Sequence, residues 1–351
     1  MTDNRPGYSD QPTLMQSIIR GMARVSVSAL IRVHVTGQAN VPPNGPLIVV
    51  GNHLSTIDGL LLGAILPPSA WFVGPGDFRL LFPGNLFLKW SRTITVRRST
   101  KLELASLKHM SDLLRAGGIL ALFPEGGTWE KPIQDAKPGA AYLSLVTGAP
   151  ILPVGLGGTY QVWNRAARLT RPRVTVNIGA LMPPVQAEGK ARREAALAAA
   201  TQDMMQRIYD LLPPEDRARY DDWATRRYDI WVEVWRGGRA EMIDLPGRAV
   251  LGELVQKPNL FSPFVRNAGL PLDPLRFPGV RFTPDAVRLA AASLARALRE
   301  TFADYIEYRL GESKAASLRA ALAALIDLAT TPGVTGITLM PTSHPGPSGA
   351  L

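Results

Sequence analysis

The residues best suited to do chemistry lie in Gly51-Asn52-His53-Leu54-Ser55-Thr56-Ile57-Asp58. An imidazole with one nitrogen held by a carboxylate offers the other as a general base. On a regular helix, the spacing from His53 to Asp58 is roughly 500°, about 140° away from a shared face. The pair meets only if the chain bends between them. Ser55 is expected to supply the bend as a helix N-cap, which puts Asp58 at N3, the reciprocal position of a capping box. The same residues admit a structural reading, with Asp58 only a cap and His53 only a polar turn residue. As a covalent nucleophile, Ser55 is a rival to its own capping role.

Three further stretches could serve a reaction. Ile119-Leu120-Ala121-Leu122-Phe123-Pro124-Glu125-Gly126-Gly127-Thr128 reads as a strand running into a turn. There Pro124 ends the ladder, Glu125 projects from the strand end, and the glycines let a ligand approach backbone N–H groups. Thr93-Ile94-Thr95-Val96-Arg97-Arg98 is a strand ending in two arginines, either a solvated basic turn or a bidentate phosphate site. Ala149-Pro150-Ile151-Leu152-Pro153-Val154-Gly155 is apolar and interrupted by proline, which suggests an edge or irregular strand.

The elements that must hold these residues follow from the apolar pattern. Leu47–Val50 is a short, β-branched run bounded by Pro46 and Gly51, and it reads as a buried strand. Ile57–Leu66 reads as a buried helix. The turn between them sits at the carboxyl end of a strand, where α/β folds place their chemistry. Further strands are expected at Ile31–Thr36, Trp71–Val73, Thr93–Val96, Ile119–Phe123, Ile151–Leu156 and Val174–Ile178. Helices are expected at Phe78–Trp90, Lys101–Arg115 and Ala140–Thr147. This alternation predicts an α/β fold, a layered domain with a largely parallel sheet covered by helices.

Four regions are expected: an amphipathic N-terminal helix in 1–30, the α/β domain in 31–212, a mainly helical extension in 213–340, and a disordered tail in 341–351. Leu14, Ile18, Met22, Val25 and Ala29 fall within an arc of about 80°. That helix either packs on the domain or lies in a membrane interface. Ala187–Leu212 closes the domain and Pro213-Pro214 ends it. Tyr220, Trp223, Trp231 and Trp235, interleaved with arginines, suit either a core-facing helix or a membrane interface. Residues 237–283 are rich in Pro and Gly, and helices follow at Thr283–Leu310 and Lys314–Ala329.

Composition narrows the partners. The chain has 351 residues, 46% apolar, with a formal charge of +10. That balance predicts a real core and an anionic partner. No zinc-finger spacing or aromatic RNA-binding signature is present, so nucleic acid is not expected. There is no cysteine and there are four histidines, so neither thiolate chemistry nor a metal site is expected. Met1–Gln11 is polar and no run of eighteen apolar residues occurs, so neither a secretory leader nor a membrane span is expected.

Taken in order, the four motifs resemble the glycerolipid acyltransferase family, whose best-known members acylate lysophosphatidic acid or glycerol-3-phosphate. Asn52-His53 with Asp58 matches the first motif. Thr93–Arg98 is similar to the second, with Arg98 at its arginine position. Phe123-Pro124-Glu125-Gly126 matches the third, and Ile151-Leu152-Pro153-Val154 the fourth. The resemblance covers about residues 30–185. The chain departs from it twice. The third motif usually continues Gly-Thr-Arg-Ser, and here it reads Gly126-Gly127-Thr128-Trp129. The second usually begins with Gly, and Arg92 stands there. Both changes point to an acceptor other than the simplest lysophospholipid, or to one bound differently.

The resemblance implies an O-acyltransferase of phospholipid biosynthesis, of the 1-acylglycerol-3-phosphate type. His53 would act as general base and Asp58 would orient it. Arg98, Glu125, Gly126, Gly127, Asn52 and Pro153 would bind substrate. Glu125 would orient a donor or a hydroxyl, since a carboxylate repels phosphate. The donor would be an acyl thioester of coenzyme A or acyl carrier protein, with no bound cofactor and no metal. The acceptor would be a lysophospholipid drawn from an anionic membrane surface, and the enzyme would be cytoplasmic and peripheral on the inner face of the cell membrane. Rival readings are a glycolipid or amino-lipid acceptor, a non-catalytic lipid-binding relative, and a hydrolase using the same dyad.

Overall fold

The computed structural model describes residues 30–76, 92–97, 104–257, 269–300 and 302–344. The expected N-terminal helix, the expected helix Phe78–Trp90, Arg98 and the end of the expected tail lie outside the described residues. The described residues divide into two compact units, one within 30–97 and 104–221, the other within 222–344.

The first unit is built on a seven-stranded sheet: β1 Arg32–Thr36, β2 Leu47–Gly51, β3 Trp71–Pro75, β4 Arg92–Val96, β5 Ile119–Leu122, β6 Ile151–Gly157 and β7 Arg173–Ile178. Their spatial order is β1-β7-β6-β2-β5-β3-β4. Every neighbouring pair is parallel except β6 with β7. Each expected strand is present to within one or two residues. Between the strands lie α1 Ile57–Ile65, α2 Leu104–Arg115, α3 Gly139–Thr147 and α4 Val162–Ala167, with α5 Lys190–Asp210 and α6 Pro214–Thr225 following β7.

Hydrophobic burial on both faces fixes the centre of this sheet. Leu47, Ile48, Val49 and Val50 of β2 are all fully buried, and each contributes about 1.5–3 kcal/mol relative to exposure. Alternate residues of β2, β5 and β6 pack with Ile57, Leu61 and Leu62 of α1 in one continuous core.

Pro153 lies in an interior strand with an irregular ladder, so of the two expected readings, edge or irregular, the edge position is corrected. β6 is third of seven in the sheet. Its first four residues pair with β2, from Ile48↔Ile151 to Gly51↔Val154. The side facing β7 absorbs the proline. That ladder runs from Val154 onward, and an isolated Ile151–Met182 bridge lies beyond Pro153.

The second unit is mainly helical but also contains a four-stranded antiparallel sheet that the sequence reading missed. Its strands are β8 Arg227–Arg236, β9 Arg239–Ile243, β10 Arg281–Phe282 and β11 Val334–His344, in the order β10-β11-β8-β9. Its helices are α7 Arg248–Gln256, α8 Asp273–Arg276, α9 Pro284–Glu300, α10 Ala303–Leu310 and α11 Glu312–Thr330. The expected helix Thr283–Leu310 is therefore two helices, and β11 runs four residues into the expected disordered tail. The aromatic–arginine segment is not one helix either. Tyr220 and Trp223 lie on α6, whereas Trp231 and Trp235 lie on β8. Ile230, Val232 and Val234 are buried in β8, while Trp231 and Trp235 are half-buried under the guanidinium groups of Arg248 and Arg281.

Candidate active site

Strand order brings the first and third motifs together. β2 and β5 are parallel neighbours in register, with Val50 opposite Leu122. Both chains therefore leave the sheet at the same edge, one into the His53 turn and the other into the Glu125 turn.

The chain bends between His53 and Asp58, as their spacing requires. His53 Nδ1 lies 2.9 Å from Asp58 Oδ2. The same oxygen accepts the backbone N–H groups of Leu54 at 2.7 Å and Ser55 at 2.8 Å. The Ser55 bond is the reciprocal arm of the expected capping box. The other arm differs: Thr56 is the N-cap residue and makes no side-chain capping bond. The helix begins one residue later than Ser55 capping would allow. The Thr56 hydroxyl instead accepts Trp163 Nε1 at 2.9 Å.

Two contacts set the imidazole. Asp58, fully buried, holds Nδ1, while the His53 side chain keeps 19% exposure. Phe123 at the end of β5 stacks on the ring, with centroids 4.0 Å apart and planes 13° apart. This geometry leaves Nε2 as the nitrogen available to a hydroxyl proton.

Glu125 supports the same turn from the neighbouring strand. Its Oε1 accepts the His53 backbone N–H at 2.7 Å and the Tyr220 hydroxyl at 3.2 Å. Glu125 is fully buried, and burial pushes its carboxyl up to about 8; the His53 N–H, the Lys131 charge and the Tyr220 bond pull the other way. Gly126 takes the left-handed conformation, φ 76°, that closes the turn onto Phe123 O, and glycine adopts it without a Cβ penalty. Gly127 is buried just beyond and accepts Trp129 N–H at 2.9 Å.

Asn52 is a brace. Its side-chain amide donates to Leu156 O at 2.9 Å and accepts Leu156 N–H at 2.7 Å, extending the β2–β6 pairing past the strand end. Pro153 sits inside the sheet opposite Val50, with its carbonyl accepting Gly179 N–H. Arg98 lies outside the described residues, and Arg97 is exposed past the end of β4. Trp129, where the family usually has arginine, is 4% exposed and carries the Lys131 ammonium 5.0 Å from its ring centroid. Among the described residues, no group of three or more potential metal ligands occurs.

Sequence reasoning missed Tyr220. It lies on α6, far along the chain from the motifs, and only burial of its helix beside β6 brings it to Glu125. The signals were indirect: Gly155 and Gly157, where an added Cβ would lie 2.6 Å from Leu211 and 2.4 Å from Pro213. Those contacts show that the α5–α6 corner packs directly on β6.

Residues 32–157 match the family model described as Acyltransferase. The chain is 29% identical over 161 residues to the 1-acyl-sn-glycerol-3-phosphate acyltransferase of Saccharomyces cerevisiae, covering 42% of this chain and 53% of that one. It is 27% identical over 145 residues to the protein of the same name from Borreliella burgdorferi, covering 40% and 58%. The crystal structure of the 1-acyl-sn-glycerophosphate (LPA) acyltransferase PlsC from Thermotoga maritima is similar over 54% of this chain and 78% of that one, at 19% identity and a TM-score of 0.38. The chain spans about half the length of the curated relatives it matches. Over residues 32–157, the chain is thus similar to the acyltransferase family.

Proposed function

We propose that this protein is an O-acyltransferase that moves a fatty acyl group from an acyl thioester to the hydroxyl of a lysophospholipid of the 1-acylglycerol-3-phosphate type. The observation that carries the reading is the 2.9 Å contact between His53 Nδ1 and the buried Asp58 carboxylate. His53 Nε2 takes the proton of the acceptor hydroxyl as its oxygen attacks the thioester carbonyl. The imidazolium that forms faces Asp58 Oδ2. Collapse of the tetrahedral intermediate breaks the C–S bond, and the imidazolium proton goes to the departing thiolate. The products are an ester and a free thiol.

The donor is an acyl thioester of coenzyme A or acyl carrier protein. Arg98, Gly126, Gly127 and Asn52 are assigned to the acceptor side on the strength of the motifs, with Glu125. The formal charge of +10 favours a peripheral position on an anionic membrane. Among the described residues, no helix is long and apolar enough to cross a membrane.

The test is to incubate the purified protein with acyl-coenzyme A and a panel of lyso-lipids and to identify products by mass. A diacyl product from lysophosphatidic acid, absent with His53→Ala, is the expected result. Release of free fatty acid alone would make the protein a hydrolase, and no thioester cleavage would leave a non-catalytic relative. Burial of Trp129 at the usual arginine position favours a second reading, a glycolipid or amino-lipid acceptor. The same panel separates the two.

A further inference from the structure

We infer that the connection from β6 to β7, with the start of β1 beside it, is the surface that seats this protein on an anionic bilayer: Leu169 enters the interface, and Arg168, Arg171 and Arg173, with Arg32, meet lipid phosphates. The inference deepens the peripheral-membrane reading above and rests on it.

Charge marks the segment. Between Asp135 and Glu188 the sequence has no acidic residue, yet Arg165, Arg168, Arg171 and Arg173 crowd into residues 165–173. All four are exposed. Arg165 serves the fold, donating to the carbonyl oxygens of Gly158 and Tyr160. Arg32, also exposed, stands opposite Arg173 across the parallel β1–β7 ladder, and its N–H donates to Pro172 O at 3.0 Å. Among the described residues, no ion pair joins Arg32, Arg168 or Arg173 to a carboxylate. Like charges directly opposite on a sheet are destabilising, and a layer of lipid phosphates relieves that repulsion.

The tip between these arginines is apolar. Leu169 is 85% exposed, more than any other large hydrophobic side chain among the described residues. Its backbone is left-handed, φ 57°, as is that of Arg171, φ 43°. Such a conformation is costly for these residue types. The loop is nevertheless tied in place: Leu169 N–H donates to Ala166 O at 2.9 Å and Thr170 Oγ1 to Arg165 O at 2.7 Å. A leucine held out between guanidinium groups suits the boundary of headgroups and acyl chains, where the leucine leaves water and the cations stay with the phosphates. That combination favours a bilayer over an acidic protein.

Topology puts this surface beside the dyad. β7 runs antiparallel to β6, so the connection starts at the carboxyl end of β6. β6 is parallel to β2, and β2 to β5, so the His53 and Glu125 turns leave the sheet at the same edge. Trp163, early in the connection, donates to Thr56 of the histidine turn. Seating this edge on a leaflet turns the dyad towards an acceptor held there. The amphipathic stretch Leu14–Ala29 leads in sequence into the same patch, through Leu30, which is 42% exposed.

The experiment compares wild type, Leu169→Ser and the double variant Arg168→Gln/Arg173→Gln. Sedimentation measures binding to phosphatidylcholine vesicles with and without phosphatidylglycerol. Acyl transfer to lysophosphatidic acid in detergent micelles is measured on the same proteins. Because the chain has no cysteine, Leu169→Cys carrying an environment-sensitive dye reports on that one position. Wild type is expected to bind the phosphatidylglycerol vesicles, less so in high salt. Each arginine removed should lower the partition coefficient about fivefold, and Leu169→Ser about tenfold. Transfer in micelles should stay at the wild-type rate, and the dye should shift to the blue on the anionic vesicles.

Folded variants that bind these vesicles like wild type, a dye that does not shift, or equal binding to phosphatidylcholine alone overturns the inference and leaves the acyl-transfer reading intact. A shift caused by an acidic acyl carrier protein and not by vesicles also overturns it, and makes the patch a protein-docking site. If the double variant does not fold, the dye decides. If wild type binds no vesicle, the peripheral-membrane reading falls and this inference with it. If the dye shifts but wild type acylates no lyso-lipid in micelles, the acyl-transfer reading fails and the seating surface stands.

Discussion

The side chain of Asn52 pairs with the backbone of Leu156 as one strand pairs with the next, giving and receiving one hydrogen bond. The residue immediately before the histidine is thereby tied to β6, and the turn leaves the sheet in a fixed direction. Asn52 is fully buried, so removing the amide strands both a donor and an acceptor. Asn52→Ala should lower the unfolding free energy by about 1–3 kcal/mol. Chemical denaturation of the variant against wild type measures this, and an unchanged midpoint would show that the brace is dispensable.

His53→Ala should reduce turnover by about 10²–10⁴-fold, the usual worth of a general base. The fold should survive, because the structural role of the turn is carried by the His53 N–H, which alanine retains, and by Asp58. Asp58→Ala should be worse for stability, since Leu54 and Ser55 then lose the acceptor for their N–H groups. Circular dichroism and steady-state rates measured on the same preparations separate the two effects.

Glu125 gives a pH signature in stability that is independent of any substrate. Its folded-state carboxyl titrates at about 8, against an ordinary value of 4.5. The folded protein holds this proton where the unfolded chain has released it. The contribution is therefore fully present below pH 4.5 and is lost as pH rises towards about 8. The decline should be of the order of a few kcal/mol. Thermal melts from acid to alkaline pH should show it in wild type and a flatter profile in Glu125→Gln.

Gly157 faces Pro213 with no room for a side chain, an added Cβ lying 2.4 Å from the proline ring. Gly157→Ala should destabilise by about 1–3 kcal/mol, as overpacking does. It should also reduce activity, because the corner it displaces leads into the helix carrying Tyr220. Equal activity in a folded Gly157→Ala protein would show that small movements of that corner do not reach the site.

The first unit was legible because its central strands, β2, β5 and β6, are short apolar runs punctuated by Pro or Gly. The His53–Asp58 geometry was legible because their spacing forbids a meeting on a straight helix. Other features had no local signature. In β8, the alternation of Ile230, Val232 and Val234 with Trp231, Glu233 and Trp235 has a period of two, but the arginines at its ends and the tryptophans drew the reading towards a helix. β11 was hidden by Pro341 near its end. The protonation of Glu125 depends on burial, and its contact with Tyr220 depends on how α5 and α6 return to β6. Neither is written in neighbouring residues.

The packing of Leu211 and Pro213 against Gly155 and Gly157 has a practical corollary for anyone building chimeras. A graft cut at residue 157, where the match to the family model stops, would carry the histidine turn into its new host without the tyrosine that steadies its acidic neighbour. Swaps made at residue 221 would keep the two together.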